Sequence, residues 1–324
     1  MYSPATFATA LVMTVFSAVF WGSWANTYKG TKNYPFELFY WDYILGVVLC
    51  SIVFAFTLGS SGPGESFLAN FQATGSGNIV YAMIGGFIFN IANLLLVAGI
   101  AIAGLAIAFP IAIGIAVVEG VVLSYALQPK GNAGYLAIGV LLATAAIVFD
   151  ALAYGRLAGG SKVTRKGIVV NIISGILMGG FAPFVTKAMT IGHPLTPYSV
   201  AVFFSLGAFI CCFFANPYLM RHPLLGEPVN FSGFWKASAK DHLLGLFGGI
   251  VWGFGGCFNF IAAGFVGVAI SYAIGQSSPM IAALWGVLVW KEFRGADGRA
   301  WGYLTLMFIS YLAAVVAIAM AYKG

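Results

Sequence analysis

The sequence predicts an all-α polytopic membrane protein with ten transmembrane helices in two inverted five-helix repeats. Three observations carry that expectation. Of 324 residues, 61% are hydrophobic and only 7% charged, which is too little charge to cover the surface of a water-soluble domain. Ten apolar windows of about the 20 residues that a helix needs to cross hydrocarbon follow one another with short links. Finally, the second half of the chain repeats the first.

The windows fall near residues 5–26, 36–58, 78–100, 104–127, 133–154, 167–189, 197–218, 242–265, 267–290 and 301–322. No positive charge precedes the first one and Lys29 follows it, so Met1–Lys29 reads as a membrane helix rather than a cleaved leader. Two connections are longer, the Gly- and Ser-rich Gly59–Gly77 and the stretch Met220–Asp241, and neither has the length of a separate domain. The domain layout expected is a first repeat over 1–155, a basic linker over 156–166, and a second repeat over 167–324.

The formal charge is +6, but the basic residues sit in gaps between apolar runs, not in patches, which argues against nucleic acid as a partner. Twelve of the fifteen Lys and Arg flank the odd-numbered loops: Lys29, Lys32, Arg156, Lys162, Arg165, Lys166, Arg221, Lys236, Lys240, Lys291, Arg294 and Arg299. Only Lys130, Lys187 and Lys323 flank the other face. Basic loops stay cytoplasmic, so the expected orientation puts both termini outside a cell (inner) membrane.

The repeat is visible residue by residue. Ser17-Ala-Val-Phe-Trp-Gly-Ser-Trp-Ala25 aligns with Ser174-Gly-Ile-Leu-Met-Gly-Gly-Phe-Ala182, and Pro35-Phe36 with Pro197-Tyr198. Gly85-Gly86 aligns with Gly248-Gly249, and Gly104-Leu-Ala-Ile-Ala-Phe109 with Gly267-Val-Ala-Ile-Ser-Tyr272. Gly134-Tyr135-Leu136 and Tyr154 align with Gly302-Tyr303-Leu304 and Tyr322, so the offset drifts only from 157 to 168 residues. Five spans per half is an odd number, so the halves enter the bilayer with opposite polarity. Inverted repeats of this kind build secondary transporters, whose site lies at the midplane between the halves.

Side chains that carry chemistry are few. Cys50, Cys211, Cys212 and Cys257 all lie in apolar runs without a spaced His or Cys partner, which excludes a zinc site of the usual spacing. His193, His222 and His242 fall in expected loops, no Walker A loop is present, and no paired carboxylates stand at hydrolase spacing. The expectation is therefore no enzyme, no cofactor and no metal, with any active transport driven by a gradient.

An ionisable group inside a span is expensive and so is a functional candidate. Glu119, in Ala-Val-Val-Glu-Gly-Val-Val, lies near the middle of the fourth window, and Asp42, in Phe-Tyr-Trp-Asp-Tyr-Ile, about two turns into the second. Each is a candidate proton carrier. The alternatives are a hydrogen-bonded carboxyl for Glu119 and a salt bridge from Asp42 to Lys29 or Lys32. Asp150 and Glu37 lie nearer helix ends, where interfacial water solvates a charge cheaply.

Neutral polar groups line up on helical faces. Gly86, Asn90 and Asn93 share one stripe, Trp252, Gly256 and Asn259 another, and Tyr272 and Gln276 stand one turn apart. Amides there either glue helices together or supply donors and acceptors to a polar solute. Trp21, Trp24 and Asn26 close the first window, where tryptophan either anchors at the interface or forms a shelf for a sugar or flat heterocycle. Pro110, Pro183 and Pro279 are expected to interrupt helices.

Phe20-Trp-Gly-Ser23, Gly-Gly-Ile-Val-Trp-Gly-Phe-Gly-Gly256, Gly-Val-Ala-Ile-Ser-Tyr272 and Trp-Gly-Val-Leu-Val-Trp-Lys-Glu292 resemble the drug/metabolite transporter superfamily. Within it the chain is similar to glucose/ribose porters, L-rhamnose–proton symporters and plant ureide permeases. Asp42 in Trp-Asp-Tyr looks more like the ureide permeases, and Gln276 before Ser-Ser more like the glucose porters. The resemblance implies a central cavity lined mainly by the first four helices of each half, and proton-coupled uptake of a monosaccharide. The alternatives are a ureide or nucleobase permease, a metabolite exporter, or a non-transporting membrane sensor. On this expectation Trp21, Trp24, Asn26, Asn90, Asn93, Trp252, Asn259, Tyr272 and Gln276 contact a small polar solute, and Asp42 or Glu119 takes the proton.

Overall fold

The computed structural model describes residues 1–157 and 164–323. Among them the structure is helical with no strands: α1 (Phe7–Ser23), α2 (Ala25–Lys29), α3 (Phe36–Phe56), α4 (Phe67–Ala73), α5 (Ser76–Ala103), α6 (Leu105–Leu127), α7 (Ala133–Leu157), α8 (Arg165–Gly180), α9 (Ala182–Ala188), α10 (Pro197–Arg221), α11 (Ser232–Lys236), α12 (Ala239–Val266), α13 (Val268–Gly275), α14 (Ser278–Leu288) and α15 (Gly298–Lys323). Residues 158–163 of the expected basic linker, Lys162 among them, lie outside the described residues.

Among the described residues nine stretches are long and apolar enough to cross a membrane, counting α1–α2 and α8–α9 as one stretch each. In lipid each backbone N–H and C=O must be satisfied within its own helix, which is why long apolar runs fold this way. Threonine and serine start several of them: Thr6, Thr164, Thr196 and Ser238 each accept a hydrogen bond from a first-turn N–H of α1, α8, α10 and α12.

The ninth expected window, 267–290, is interrupted beside Pro279, as expected of that proline, and does not form one continuous span. It is divided into α13 and α14, with Gln276 and Ser277 between them, and neither piece alone has the length of a span. Pro279 sits in the first turn of α14, where its missing N–H costs nothing, and Pro183 likewise opens α9. Pro110 remains inside an unbroken α6, contrary to the expected interruption. The two longer connections each contain a short helix, α4 and α11, and His242 belongs to the first turn of α12, not to a loop.

The helices pack in a recurrent scheme. α3 crosses α12 as α5 crosses α10; α1 lies on α12 and α14 as α8 lies on α5 and α6; α7 lies against α15. At the first two crossings the backbones touch. A Cβ at Gly249 would collide with the Tyr43 carbonyl oxygen, and one at Gly86 with that of Phe204, the small-residue approach by which helices associate in lipid. Gly104 and Gly267 occupy matching places, linking α5 to α6 and α12 to α13 through one residue at φ +76° and +93°. Only glycine takes that conformation cheaply.

Candidate functional site

Between the helix layers lies a cavity of about 460 Å³, large enough for a small-molecule ligand. Its wall is chiefly aromatic. Trp21 near the end of α1 stacks on Trp252 of α12 with ring centroids 5.7 Å apart and planes 22° apart. Trp252 also meets Phe89 of α5 at 4.8 Å and lies parallel to Phe204 of α10 at 6.4 Å. Phe181, at the α8–α9 junction, stands edge-on to Tyr272 at 5.6 Å. These rings from both halves present flat apolar surface with π faces.

Three amides interrupt that surface. Asn93 Nδ2 donates to Tyr40 Oη at 3.2 Å, and Asn259 Nδ2 donates to the Ser271 carbonyl at 2.9 Å. Both side chains are thus oriented by one bond, and both residues line the cavity. Gln276 lines it at the break between α13 and α14, the kind of discontinuity that serves binding sites within membranes. Tyr272 lines the cavity too, but its hydroxyl donates to the Met178 carbonyl at 3.0 Å.

Toward the end bearing Lys29 the cavity becomes polar. Lys29 Nζ pairs with Glu292 Oε1 at 2.8 Å, and Tyr154 Oη donates to Glu292 Oε2 at 3.2 Å. Trp290 Nε1 donates to Asn26 Oδ1 at 2.6 Å, while Lys29 Nζ lies 4.7 Å from the centroid of the Trp290 ring. A belt from the first half therefore clasps the segment after α14. Asn26 belongs to this belt, since its Nδ2 also donates to the Ser23 carbonyl. Trp24 lines the cavity and leans on Tyr43 with centroids 4.7 Å apart.

Of the nine expected contact residues the structure brings eight onto the cavity: Trp21, Trp24, Asn26, Asn93, Trp252, Asn259, Tyr272 and Gln276. Asn90 lies behind the wall, fully buried, with Oδ1 accepting from Tyr40 Oη at 2.9 Å. The two expected proton carriers lie off the lining. Glu119 of α6 packs against Gly179 at the end of α8. Asp42 is engaged by Tyr34 Oη at 2.8 Å and His242 Nδ1 at 2.9 Å, a partner different from the expected Lys29 or Lys32.

The Asp42 cluster continues through His242, whose Nε2 faces the Phe234 carbonyl at 3.0 Å. Burial, with the adjacent Asp42 carboxylate, pushes the Tyr34 phenol above its usual range, which keeps it a donor.

Besides Glu292, a second carboxyl reaches the cavity: Asp150, seven residues before the end of α7. The expected window ended at 154, which placed Asp150 near an interface; the helix runs on to Leu157, and the side chain is 2% exposed. Phe89, Phe181 and Phe204 were also missing from the expectation, because an apolar ring on a membrane helix carries no sequence mark that separates cavity from lipid.

Fold and cavity together define a multi-pass membrane protein enclosing a solute-sized, aromatic chamber. The ureide permease family profile matches residues 159–322, and the chain belongs to that family, whose members are transporters and not enzymes. Similar proteins include Ureide permease 1 of Arabidopsis thaliana, 24% identical over 100% of this chain and 99% of that protein. Ureide permease 2 of the same plant is 22% identical over 88% and 89%, and Probable ureide permease A3 of Vigna unguiculata 22% over 81% and 89%. A solved chain described only as "Crystal structure of protein" shares the fold, with TM-score 0.66, 15% identity and 98% of both chains covered.

Proposed function

We propose that this protein moves a small, flat, amide-bearing solute of the ureide or nucleobase class across the cell membrane by alternating access, with protons as the coupling ion. The observation that carries the proposal is the pairing of the Trp21–Trp252 stack with Asn93, Asn259 and Gln276 on the lining of one cavity. A planar ring of alternating N–H and C=O groups offers π faces to the indoles and complementary donors and acceptors to the amides. The names of the relatives favour the same class over the monosaccharide.

Alternating access draws support from the packing scheme. Counting α13–α14 as one broken span gives ten, and the largest contacts between helices pair up under exchange of residues 1–155 with 167–324, α3–α12 with α5–α10 and α1–α12 with α5–α8. That is the behaviour of inverted repeats. The polar end of the cavity lies on the face bearing most Lys and Arg, which the charge rule places in the cytoplasm.

The test is a thermal-shift screen of purified protein against allantoin, uracil and glucose, followed by uptake into proteoliposomes. Stabilisation in proportion to occupancy is expected with allantoin or uracil and not with glucose, and labelled ligand should enter the vesicles. Stabilisation by glucose alone would return the monosaccharide to first place. Binding without flux would leave a sensor.

A further inference from the structure

Asp150 poses a question that solute binding does not answer. Its side chain is 2% exposed and lines the cavity, yet Oδ1 has no hydrogen-bond partner among the described residues. A buried carboxylate with an orphan oxygen is too costly to be an accident of packing. Lys29, the cation on the same lining, is already held by Glu292. Glu292 itself is satisfied twice, by Lys29 and Tyr154.

Among the described residues the surroundings of Asp150 hold no free cation, and the other carboxylate on the lining, Glu292, is already paired with Lys29. On its own helix stands Tyr154, one turn on, bonded to Glu292. From α15 comes Tyr311, fully buried, its hydroxyl also without a partner. From α13 comes Tyr272, whose hydroxyl is committed to the Met178 carbonyl, and α6 carries Glu119, packed against Gly179 and off the lining. The helices against α7 therefore offer phenols, which donate or accept, and no group that locks the carboxyl in one state. Nor do the described residues hold a cluster of His, Cys, Asp and Glu suited to a metal ion. A cation such as sodium needs several oxygens, whereas a proton needs one.

We propose that Asp150 carries the coupling proton, an inference that rests on the transport reading above. With the cavity open to one face, the carboxylate takes a proton from water and an O–H bond forms. The neutral carboxyl and the solute then change sides together. On the far face the O–H bond breaks, the proton passes to water, and the emptied carrier returns with the carboxylate restored. One proton and one solute cross per cycle, so a neutral solute carries a net single positive charge.

The experiment uses full-length protein in proteoliposomes with radiolabelled allantoin or uracil as probe. A proton gradient of about one pH unit, acid outside, is expected to drive wild-type accumulation toward roughly tenfold and to generate inward current. Asp150→Asn should pass label in counterflow but hold the inside-to-outside ratio near one, without current. Asp150→Glu, which keeps an ionisable carboxyl, should recover accumulation, and Asp150→Ser supplies a second neutral variant should the Asn protein fail to fold. Accumulation by Asp150→Asn or Asp150→Ser to the wild-type ratio overturns the assignment. So does a wild type that responds to a sodium gradient and not to protons. A wild type that passes no label even in counterflow overturns the transport reading, and this assignment with it.

Discussion

Substituting Gly249 by alanine tests one of the two tightest glycine contacts between the two halves. The new Cβ would sit well inside the 3.0 Å that real Cβ atoms keep from any neighbour, against the Tyr43 carbonyl oxygen. That neighbour is backbone in the middle of α3, so no side chain can swing away. The helices must part by about 1 Å, which forfeits a quarter to a half of each dispersion contact along the seam. Overpacking of this kind costs about 1–3 kcal/mol, and about 2 kcal/mol lowers the folding equilibrium roughly thirtyfold. The assay is reversible unfolding in mixed micelles, with Gly302→Ala as control, since nothing lies within 4 Å of a Cβ there. The control should unfold at or slightly above wild type, because glycine in a helix interior is itself destabilising by about 0.5–1 kcal/mol. Gly86→Ala, at the matching crossing, should behave like Gly249→Ala. If Gly249→Ala proves as stable as Gly302→Ala, the close-packed seam is not what joins the halves.

Trp252→Ala removes the ring that Trp21, Phe89 and Phe204 all touch; titration calorimetry should show solute binding at least about tenfold weaker, with Trp252→Phe intermediate, and unchanged affinity would remove the aromatic wall from recognition. Lys29 and Glu292 are 47% and 31% exposed, so their pair is worth at most about 1 kcal/mol. Lys29→Glu should speed maleimide labelling of an Ala283→Cys reporter in the cavity by up to about fivefold, and adding Glu292→Lys should restore the slow rate. Outside the spans, Arg156 and the Ala300 N–H hold the Asp297 carboxyl below its ordinary value near 3.8. A depressed carboxyl stabilises the fold above its unfolded value and loses that effect as pH falls through the folded one. Asp297→Asn should therefore flatten the loss of thermal stability below about pH 4, and an identical acid profile in the variant would show the contact is not formed in solution.

Most of the spans were legible because lipid imposes one rule on every residue, and a run of about 20 apolar side chains has one cheap solution. The broken ninth window was legible only in part, since Pro279 marked an interruption but Gln276-Ser277-Ser278-Pro279 sits in a stretch still apolar enough on average to read as one span. Pro279 was visible, but a proline in a span either bends or starts a helix, and only the neighbours decide. Amide stripes were readable from spacing, yet Asn90 and Asn93, three residues apart on one face, part company at Tyr40, which takes the first behind the wall. Asp42 and His242 lie 200 residues apart and meet only because α3 crosses α12. Asp150 was misplaced by three residues of helix, a small boundary error that exchanges interfacial water for the interior.

The single-residue elbows at Gly104 and Gly267 have a mechanical corollary. Two long rods that share one joint have almost no slack between them, so tilting α5 must drag α6, and tilting α12 must drag α13 and the kinked segment behind it. Displacement at either joint is thereby delivered as rotation to the chamber wall instead of being absorbed by a flexible connection.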